Sequence, residues 1–427
     1  MLRAQCTRQE RLYASSTKTS GDVTDAGSAV DGEPGNFSTI KATLVFTSTQ
    51  YLKFSERIAG GTPVTIKLTA PSGGIGVLSN LTLQAYTESS SGVRTNVGSP
   101  VVDASLLNVL TSSGGMEFTF TPKTGAGVNV DYDGISVTLG GVNLTTVSMS
   151  LYHAYVMKDA TADISCNQPV DYLYGVKANA VNLLTFANKV VEPEKAFDND
   201  LSTYAALQTA VGVLTALYET VVFKTPSSPG DSLRVILKDP NNPVLTLALL
   251  TGFTVQPYLG QTPVGAPLTS ASALLNLRLL DGGTDQQYVL TAAIAGPFDR
   301  VEIIAGGLTG LARELRIYDV TRIAREPDPD FTLGGQPAGS PVCITKVNDV
   351  LFTASGESCA TYRWYNASNT LLSSGPTFTP AITTAGTYTF YVAAQRTGCT
   401  NIETKKQLSL TVSARPGPPT LTIQTNP

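Results

Sequence analysis

The sequence predicts an all-β protein built from tandem antiparallel β-sandwich or jelly-roll domains. Segments such as 64–69 and 117–121 alternate apolar and polar residues, with the period of two that is typical of a half-buried strand. Turns rich in Gly, Pro and Asn separate such segments, as at 71–74 and 239–243. The same order of segments occurs twice along the chain, which favours two similar sandwiches in tandem.

The composition restricts the classes of function. Of the 427 residues, 42% are hydrophobic and only 15% are charged, so the chain can bury a core but carries few reactive groups. A formal net charge of -4 gives no basic surface for nucleic acid. No apolar stretch reaches the roughly 18 residues needed to span a bilayer. The single histidine, His153, excludes a multi-histidine metal centre within the chain.

A long internal repeat is the main organising feature. The segments that return later in the chain are 6–13 as 166–174, 61–71 as 230–240, 81–86 as 253–258, and 135–141 as 301–307. Their order is the same in both copies, so we interpret the similarity as a duplication. We therefore predict a first sandwich, repeat 1, at residues 1–160 and a second, repeat 2, at residues 161–325.

Residues 195–204, Lys-Ala-Phe-Asp-Asn-Asp-Leu-Ser-Thr-Tyr, resemble a loop of discoidin-like and related galactose-binding-like sandwiches. That loop often wraps a structural calcium ion, so the resemblance implies Asp198, Asp200 and Thr203 as calcium ligands. Asp31 is the counterpart in repeat 1, where Glu-Pro-Gly-Asn replaces the second Asp. Carboxylate and carbonyl oxygens suit calcium. The alternative is a turn held by local side-chain hydrogen bonds.

Residues 341–413 resemble an Ig-like β-sandwich. Trp364 would pack in its core, and a Gly-Thr-Tyr start to a late strand makes Tyr388 the corner tyrosine. Phe390 stands where an antibody domain has a cysteine. The domain is more similar to Ig-like repeats of large surface proteins secreted by Bacteroidota, and that resemblance implies a disulfide between Cys343 and Cys399. Buried free thiols are the alternative.

Two further segments complete the predicted organisation. Residues 326–340, rich in Pro, Gly and polar residues, predict a linker before the Ig-like domain. Residues 414–427 predict a terminal strand or the start of a further domain, with Leu421 and Ile423 on its apolar side. Both ends suggest a piece of a longer protein.

No pattern predicts catalysis. A Ser-His-Asp site would require His153, which lies in a strand-like segment where we expect a surface or rim histidine. The paired carboxylates Asp198 and Asp200 lie in a loop, whereas a glycosidase needs two carboxylates facing across a cleft. We therefore expect a protein that is not an enzyme.

Three functional hypotheses follow. The leading one is a non-enzymatic extracellular or cell-surface protein, structural or adhesive, such as the stalk of an adhesin-like protein whose partners are itself or other surface proteins. The second is a pair of carbohydrate-binding modules, with Tyr204 and Tyr218 as candidates for glycan contact. The third is a filament subunit joined by β-strand addition through the strand that carries Leu421 and Ile423.

Overall fold

The structure is a computed structural model. It describes residues 8–43, 46–69, 71–72, 81–102, 115–140, 146–177, 189–209, 216–240, 253–269, 275–279, 287–306, 313–337, 339–356, 359–400, 405–415 and 417. The chain forms two compact units: a repeat unit of residues 9–160 and 166–323, and an Ig-like unit of residues 1–8, 161–165 and 324–427.

Repeat 1 consists of two antiparallel sheets. The strands are β1 (Gln9–Tyr13), β2 (Ser16–Ser20), β3 (Asp22–Thr24), β4 (Ser38–Ala42), β5 (Ser48–Ile58), β6 (Val64–Leu68), β7 (Leu81–Glu88), β8 (Arg94–Asn96), β9 (Val101–Val102), β10 (Met116–Phe120), β11 (Tyr132–Leu139) and β12 (Val147–Asp159). One sheet has the order β10-β6-β12-β4-β3, with β1 beside β12. The other has the order β2-β5-β11-β7-β8, with β9 beside β7. A 3-10 turn, Ala26–Ala29, precedes β4.

Repeat 2 has the same arrangement of its central strands. Its strands are β13 (Pro169–Lys177), β14 (Lys189–Val191), β15 (Ala205–Thr209), β16 (Ala216–Phe223), β17 (Ser232–Lys238), β18 (Phe253–Leu259), β19 (Thr262–Pro263), β20 (Leu275–Leu279), β21 (Tyr288–Ala293), β22 (Arg300–Gly306) and β23 (Arg313–Ile323). The sheets have the orders β13-β16-β22-β18-β19 and β14-β15-β23-β17-β21-β20. A second 3-10 turn, Pro193–Ala196, precedes β15.

The two-residue periodicity of the sequence produces the core of each repeat. In β6, Val64, Ile66 and Leu68 are fully buried between the two sheets, and in β17 the equivalent residues Leu233 and Val235 are also fully buried. Each such side chain contributes about 1.5–3 kcal/mol when it is removed from water. The predicted all-β fold of antiparallel sandwiches is therefore confirmed.

Strand register makes positions in the two repeats comparable. Leu52 of β5 pairs with Ile135 of β11, and Val221 of β16 pairs with Val301 of β22. Since Ile135 and Val301 begin one of the repeated segments, Leu52 and Val221 are equivalent positions.

The Ig-like unit is a sandwich of a four-stranded and a five-stranded sheet. Its strands are β24 (Asp328–Leu333), β25 (Gln336–Pro337), β26 (Val342–Cys343), β27 (Val350–Ser355), β28 (Ala360–Asn366), β29 (Leu371–Ser374), β30 (Thr377–Phe378), β31 (Gly386–Arg396) and β32 (Lys406–Ser413), with a 3-10 turn at Ile344–Asp349. The sheet orders are β25-β24-β27-β30 and β26-β32-β31-β28-β29. β26 pairs with β32 in parallel.

The predicted core of the Ig-like domain is present. Trp364 is fully buried, stacks on Phe352 at 5.8 Å between ring centroids, and donates a hydrogen bond from its ring nitrogen to the Gly375 carbonyl at 3.0 Å. The Tyr388 hydroxyl donates to the Thr384 carbonyl at 2.9 Å, which is the corner contact expected for this position.

The predicted linker at 326–340 is wrong in its central part. Residues of β24 pair with β27 over six positions, and Phe331 packs against Phe352. The Asp-Pro-Asp and Gly-Gly sequences suggested a loop, but Phe331 and Leu333 alternate as in a strand and supply apolar area to the core. Pro329 is tolerated because β24 pairs along that stretch with β27 alone.

Residues 161–165, which the sequence prediction placed in repeat 2, belong to the Ig-like unit. Ile164 donates its main-chain N–H to the Gly398 carbonyl at 3.0 Å, and Thr400 donates to the Ile164 carbonyl at 2.9 Å. The Arg8 side chain donates to the Thr397 carbonyl at 3.1 Å. Among the described residues, no helix is long and apolar enough to cross a membrane.

Candidate functional site: a buried charge network between the repeats

The outer face of one sheet of repeat 1 carries polar side chains that are nonetheless buried. In β6, the apolar residues point into the sandwich, so Lys67 must point outward from it, yet only 1% of Lys67 is exposed. Its strand partners across the sheet are Glu117 of β10 and His153 of β12, both also buried. These side chains are shielded from water by repeat 2, which contributes charged groups of its own.

Lys67 and Asp171 form a buried ion pair between the repeats. The Lys67 ammonium donates to Asp171 Oδ1 at 2.6 Å and to the main-chain carbonyls of Pro34 at 2.9 Å and Tyr172 at 2.8 Å. Asp171 is fully buried and also accepts the Tyr172 main-chain N–H at 2.7 Å. Burial alone would raise the pKa of the Asp171 carboxyl, but Lys67 and His153 outweigh burial and hold that pKa well below its ordinary value.

Glu117 and Arg300 form a second buried ion pair. Glu117 Oε2 accepts a hydrogen bond from Arg300 Nη1, and Glu117 Oε1 accepts one from the Tyr155 hydroxyl at 3.0 Å. Arg300 also donates to its neighbour Asp299 at 3.2 Å. Burial would raise the pKa of Glu117, but Arg300 and Arg11 reverse the effect and lower it below its ordinary value. Both carboxylates of the network are therefore charged when the protein is folded.

Arg11 lies at the edge of the network. Its guanidinium carbon is 4.5 Å from the centroid of the Tyr155 ring, in a cation–π geometry. Two of its nitrogens, Nε and Nη1, have no hydrogen-bond partner among the described residues. Burial alone would lower the pKa of Arg11, but its interactions with Tyr155 and Glu117 raise it above its ordinary value.

His153 belongs to this network, and the expectation of a surface histidine is wrong. Its Nε2 lies 3.3 Å from Asp171 Oδ2, although the contact lacks hydrogen-bond geometry. Its ring also packs edge-on against Tyr13 at 5.2 Å between centroids. The repeat 2 sandwich covers this face. The His153 imidazole therefore contacts the buried carboxylate of Asp171, and it does not lie in an open cleft beside a nucleophile.

A network of this kind fixes how two domains contact each other. Buried ion pairs gain little net stability over apolar packing, because removing the charges from water costs nearly as much as their attraction returns. Each charge nevertheless requires its partner at one distance and direction. The sequence prediction missed this site. The sequence did contain one sign of it: Lys67 in repeat 1 aligns with an isoleucine, Ile236, in repeat 2. A charged residue at a position that is apolar in the other repeat indicates a contact that differs between the repeats.

The loop predicted to bind calcium is held by its own hydrogen bonds. Asp198 accepts bonds from the Asp200 main chain at 3.0 Å and from Thr203 Oγ1 at 2.7 Å, and the Lys195 ammonium lies 3.3 Å from it. In repeat 1, Asp31 accepts bonds in the same way from its own loop. The described residues contain no group of three or more His, Cys, Asp or Glu side chains able to hold a metal ion. Calcium at Asp198, Asp200, Thr203 and Asp31 therefore stays a prediction.

The two tyrosines predicted to contact a glycan lie on different sheets. Tyr218 belongs to β16 and packs with Leu173 and Val222 in a buried cluster. Tyr204 precedes β15 of the other sheet, 5.3 Å from Tyr318 between ring centroids. The structure therefore does not bring Tyr204 and Tyr218 together, and Tyr204 is the one that borders a polar surface.

The predicted disulfide between Cys343 and Cys399 is wrong. Cys343 is a free thiol, whereas Cys166, Cys359 and Cys399 are disulfide-bonded. Cys343 pairs with Ser413, next to Val412, which pairs with the first residue of β31. Cys399 lies three residues beyond Arg396, the last residue of that strand. Eleven residues of strand separate the two ends, about 35 Å at roughly 3.3 Å per residue, far beyond disulfide reach.

The predicted assembly strand with Leu421 and Ile423 lies outside the described residues, so its role stays a prediction.

A buried glutamate in repeat 2 is a second feature that the sequence prediction missed. Glu219 of β16 is fully buried, on the side of the strand that carries the core residues Leu217 and Val221. Neither of its carboxyl oxygens has a hydrogen-bond partner among the described residues. Burial, and secondarily the charge of Glu194, raise the pKa of Glu219 well above its ordinary value.

Comparisons with known proteins support part of this description. Residues 335–414 match the family described as "Ig-like domain CHU_C associated", in agreement with the predicted Ig-like domain. No curated protein matches the chain. The Bacteroidota origin that we associated with the domain stays a prediction.

Several solved structures are similar to the chain at low identity. A fucolectin from striped bass (Morone saxatilis) serum is 14% identical, with 72% of this chain and 95% of that chain covered and a TM-score of 0.24. A family 32 carbohydrate-binding module from C. perfringens NanJ is 16% identical. The match covers 35% of this chain and 99% of that chain, with a TM-score of 0.23. The adhesin domain of Epf from Streptococcus pyogenes is 9% identical. The match covers 61% of this chain and 99% of that chain, with a TM-score of 0.23.

Proposed function

We propose that the chain is a non-catalytic structural or adhesive protein of the cell surface or the extracellular space, in which repeat 1 and repeat 2 act as one mechanical unit. The buried charge network between the repeats carries this proposal. A protein that only needed two independent binding modules could connect them by a flexible linker. Here the chain instead buries two ion pairs, Lys67–Asp171 and Glu117–Arg300, at the contact between them.

Two other observations support the setting and the absence of catalysis. The single histidine of the chain is buried in the network and contacts Asp171, so it does not serve a nucleophile. Cys166, Cys359 and Cys399 are disulfide-bonded, which suits an oxidising compartment such as the cell exterior.

The mechanical coupling can be tested by pulling the full chain from its two ends in a force spectrometer. We expect repeat 1 and repeat 2 to unfold in one event, and Asp171→Ala to split that event into two. Asp200→Ala, in an exposed loop of the same repeat, is the matched control and should leave the single event unchanged. Separate unfolding of the two repeats in the unmodified chain would contradict the proposal, as would hydrolysis of glycoside, peptide or ester substrates by the purified protein.

Carbohydrate binding is the second candidate function, and a polar cluster on the outer face of β15 and β23 favours it. The Arg316 guanidinium carbon lies 4.3 Å from the centroid of the Tyr204 ring, and Arg316 donates to Glu314 Oε1 at 2.5 Å. Gln208 donates to the other oxygen of Glu314 at 3.3 Å. Hydroxyl, guanidinium, carboxylate and amide groups side by side are suited to the hydroxyls of a sugar.

A glycan array with the full chain tests this second function. We expect bound glycans to be lost in Glu314→Gln, whereas Tyr218→Phe, on the opposite sheet, keeps them. An array without any hit, in the presence and in the absence of calcium, would set carbohydrate binding aside.

A further inference from the structure

Repeat 1 carries a group of charged and aromatic side chains on the outer face of the sheet with the order β2-β5-β11-β7-β8. In β5, Leu52 belongs to the core, so its neighbours Tyr51 and Lys53 point to the opposite side of the sheet. Glu88 of β7 and Arg94 of β8 are strand partners on the same face and contact Lys53 and Tyr51. These four residues, which we call the outer cluster, therefore lie on the sheet opposite the one that contacts repeat 2.

Glu88 holds the two cations of the outer cluster in place. Its Oε1 accepts a hydrogen bond from the Lys53 ammonium at 2.7 Å, and its Oε2 lies 2.8 Å from Arg94 Nε. Asp133 accepts the main-chain N–H of Glu88 at 2.7 Å and two hydrogen bonds from Arg57, both of 3.0 Å. The three cations outnumber the two carboxylates, so this surface is positive in a chain whose formal net charge is -4.

Two tyrosines form the base against which Arg94 packs. The guanidinium carbon of Arg94 lies 4.4 Å from the centroid of the Tyr51 ring and 5.9 Å from that of Tyr86, and the two rings meet edge-on at 5.6 Å. Tyr86 is buried there because Gly134 of the neighbouring strand has no side chain, and a Cβ at Gly134 would lie 2.6 Å from the Tyr86 hydroxyl oxygen. Arg94 is therefore positioned before any ligand binds.

Repeat 2 shows that the sandwich does not need the outer cluster. The strand register, with the order of the repeated segments, places different residues at the equivalent positions of repeat 2: Thr220 for Tyr51, Val222 for Lys53, Gly260 for Glu88 and Arg300 for Gly134. Ion pairs near a protein surface add little to stability. Neither the fold nor its stability therefore explains why repeat 1 holds two cations in fixed positions on this face.

The surroundings of the outer cluster favour a polysaccharide over a peptide as its ligand. The Thr49 and Thr138 hydroxyls lie 2.9 Å apart on the same face, and the exposed Lys18 of β2 lies beside Tyr51. The main-chain N–H and C=O groups of β5, β11 and β7 are bonded within the sheet, so this face offers no free strand edge to an extended peptide. Cations and hydroxyls of side chains suit a polymer that carries both acidic groups and hydroxyls.

We propose that this face of repeat 1 binds an acidic polysaccharide, with Arg94 and Lys53 contacting its sulfate or carboxylate groups. The guanidinium fork of an arginine matches the paired oxygens of such a group, and a lysine ammonium adds a point charge. The site lies on a different repeat from the cluster of Tyr204 and Arg316. It goes beyond the proposed function, because it depends neither on the coupling of the repeats nor on that other cluster.

Titration calorimetry of the full chain with four polymers tests the site. Heparin carries sulfate groups, polygalacturonate carries only carboxylates, dextran is neutral, and a single-stranded DNA oligonucleotide is acidic without being a polysaccharide. We expect saturable binding of heparin or polygalacturonate that weakens as salt is added, and no binding of dextran. Arg94→Gln and Lys53→Gln should each weaken it at least about tenfold, since each removes a charge-assisted hydrogen bond.

The matched control is Lys346→Gln, which removes an exposed, ion-paired lysine of the Ig-like unit and should leave the affinity unchanged. Glu314→Gln should also leave it unchanged, which separates this site from the glycan site proposed on repeat 2. Lys53 is more than a third exposed, so Lys53→Gln keeps the test decisive if Arg94→Gln fails to fold.

Four results would overturn the inference. One is the absence of saturable binding to both acidic polysaccharides, and another is binding that persists unchanged in Lys53→Gln. The third is an equal loss in Lys346→Gln, which would mean diffuse attraction to the whole surface. The fourth is binding of the DNA oligonucleotide as tight as that of the polysaccharides, which would mean that the face selects charge alone. The force measurement on the repeats tests the mechanical proposal independently of all four.

Discussion

The outer faces of two equivalent sheets, one in each repeat, have opposite chemistry at two equivalent positions. At the position of Lys67, repeat 2 has Ile236, and at the position of Glu117 it has Val289. The repeat 1 face buries ion pairs against Asp171 and Arg300, whereas Ile236 and Val289 are buried in an apolar cluster with Tyr318. The same pair of strand positions is therefore occupied by charged residues in repeat 1 and by apolar residues in repeat 2.

The two kinds of contact differ in how strictly they fix the position of the partner surface. Apolar packing tolerates small shifts of the partner surface, because dispersion and burial are not directional. A buried ion pair fails when either charge is displaced, since the other then remains in a low-dielectric environment without compensation. The charged face of repeat 1 therefore specifies which surface it accepts, and the apolar cluster of Ile236, Val289 and Tyr318 in repeat 2 mainly contributes burial.

The largest expected effect is on the Lys67–Asp171 pair. Asp171→Ala leaves the Lys67 ammonium buried without a counter-charge, so we expect the free energy of unfolding of the repeat unit to fall by about 3–5 kcal/mol. Chemical denaturation of the full chain measures this change. Asp200→Ala, in an exposed loop, should cost less than about 1 kcal/mol.

An apolar replacement of the whole pair sharpens the comparison. The double variant Lys67→Met with Asp171→Leu gives repeat 1 a face more like that of repeat 2, and it should recover most of the lost stability. If the double variant is as unstable as Asp171→Ala, the loss comes from shape rather than from uncompensated charge.

Acid should weaken the repeat unit through the same groups. Folding lowers the pKa values of both Asp171 and Glu117, so their contribution is present above their ordinary pKa values, near 4, and is lost as the pH falls below them. The free energy of unfolding should therefore fall as the pH is lowered from about 5, because both carboxyls then take up protons more readily in the unfolded chain than in the folded one. Denaturation curves at stepwise pH values measure this slope. The double apolar variant should show a shallower one, and an equal slope would assign the acid sensitivity to other carboxyls.

The sequence allowed the sandwiches to be predicted but not their contact. Alternation in β6 and β17 identifies which residues face each core, because that information is local. The same alternation assigns Lys67 to an outer face and says nothing about what covers that face. Asp171 lies at the start of β13, more than a hundred positions away, and only the tertiary arrangement brings the two charges to 2.6 Å. The linker prediction at 326–340 failed for a similar reason. Pro329 indicates a loop unless its strand has a free edge, and only the tertiary structure shows that β24 has one there.

Glu219 should make the stability of repeat 2 depend on pH in the opposite direction. Its pKa is raised in the folded state, so its contribution is favourable below the ordinary value near 4.5 and is lost as the pH rises through the folded pKa. Glu219→Gln should therefore stabilise the protein by about 1–2 kcal/mol at pH 7 and have no effect below pH 4. Thermal unfolding at both pH values measures this. Gln50→Asn, at the equivalent position of repeat 1, should destabilise at both, because it shortens a side chain that makes three hydrogen bonds.

The smallest expected effect concerns the cysteines of the Ig-like unit, where two positions with the same chemistry differ in their partners. Cys343 of β26 is a free thiol beside the end of β32, and its Sγ lies 3.3 Å from the Thr345 hydroxyl. Cys343→Ser keeps a hydroxyl at this half-exposed site, so the free energy of unfolding should change by less than about 0.5 kcal/mol. Cys359→Ser breaks a disulfide and should cost about 2–5 kcal/mol. Denaturation of the two variants, with thiol titration under native conditions, checks both values. A large loss in Cys343→Ser would show that Cys343, and not Cys359, is the cysteine that cross-links the folded chain.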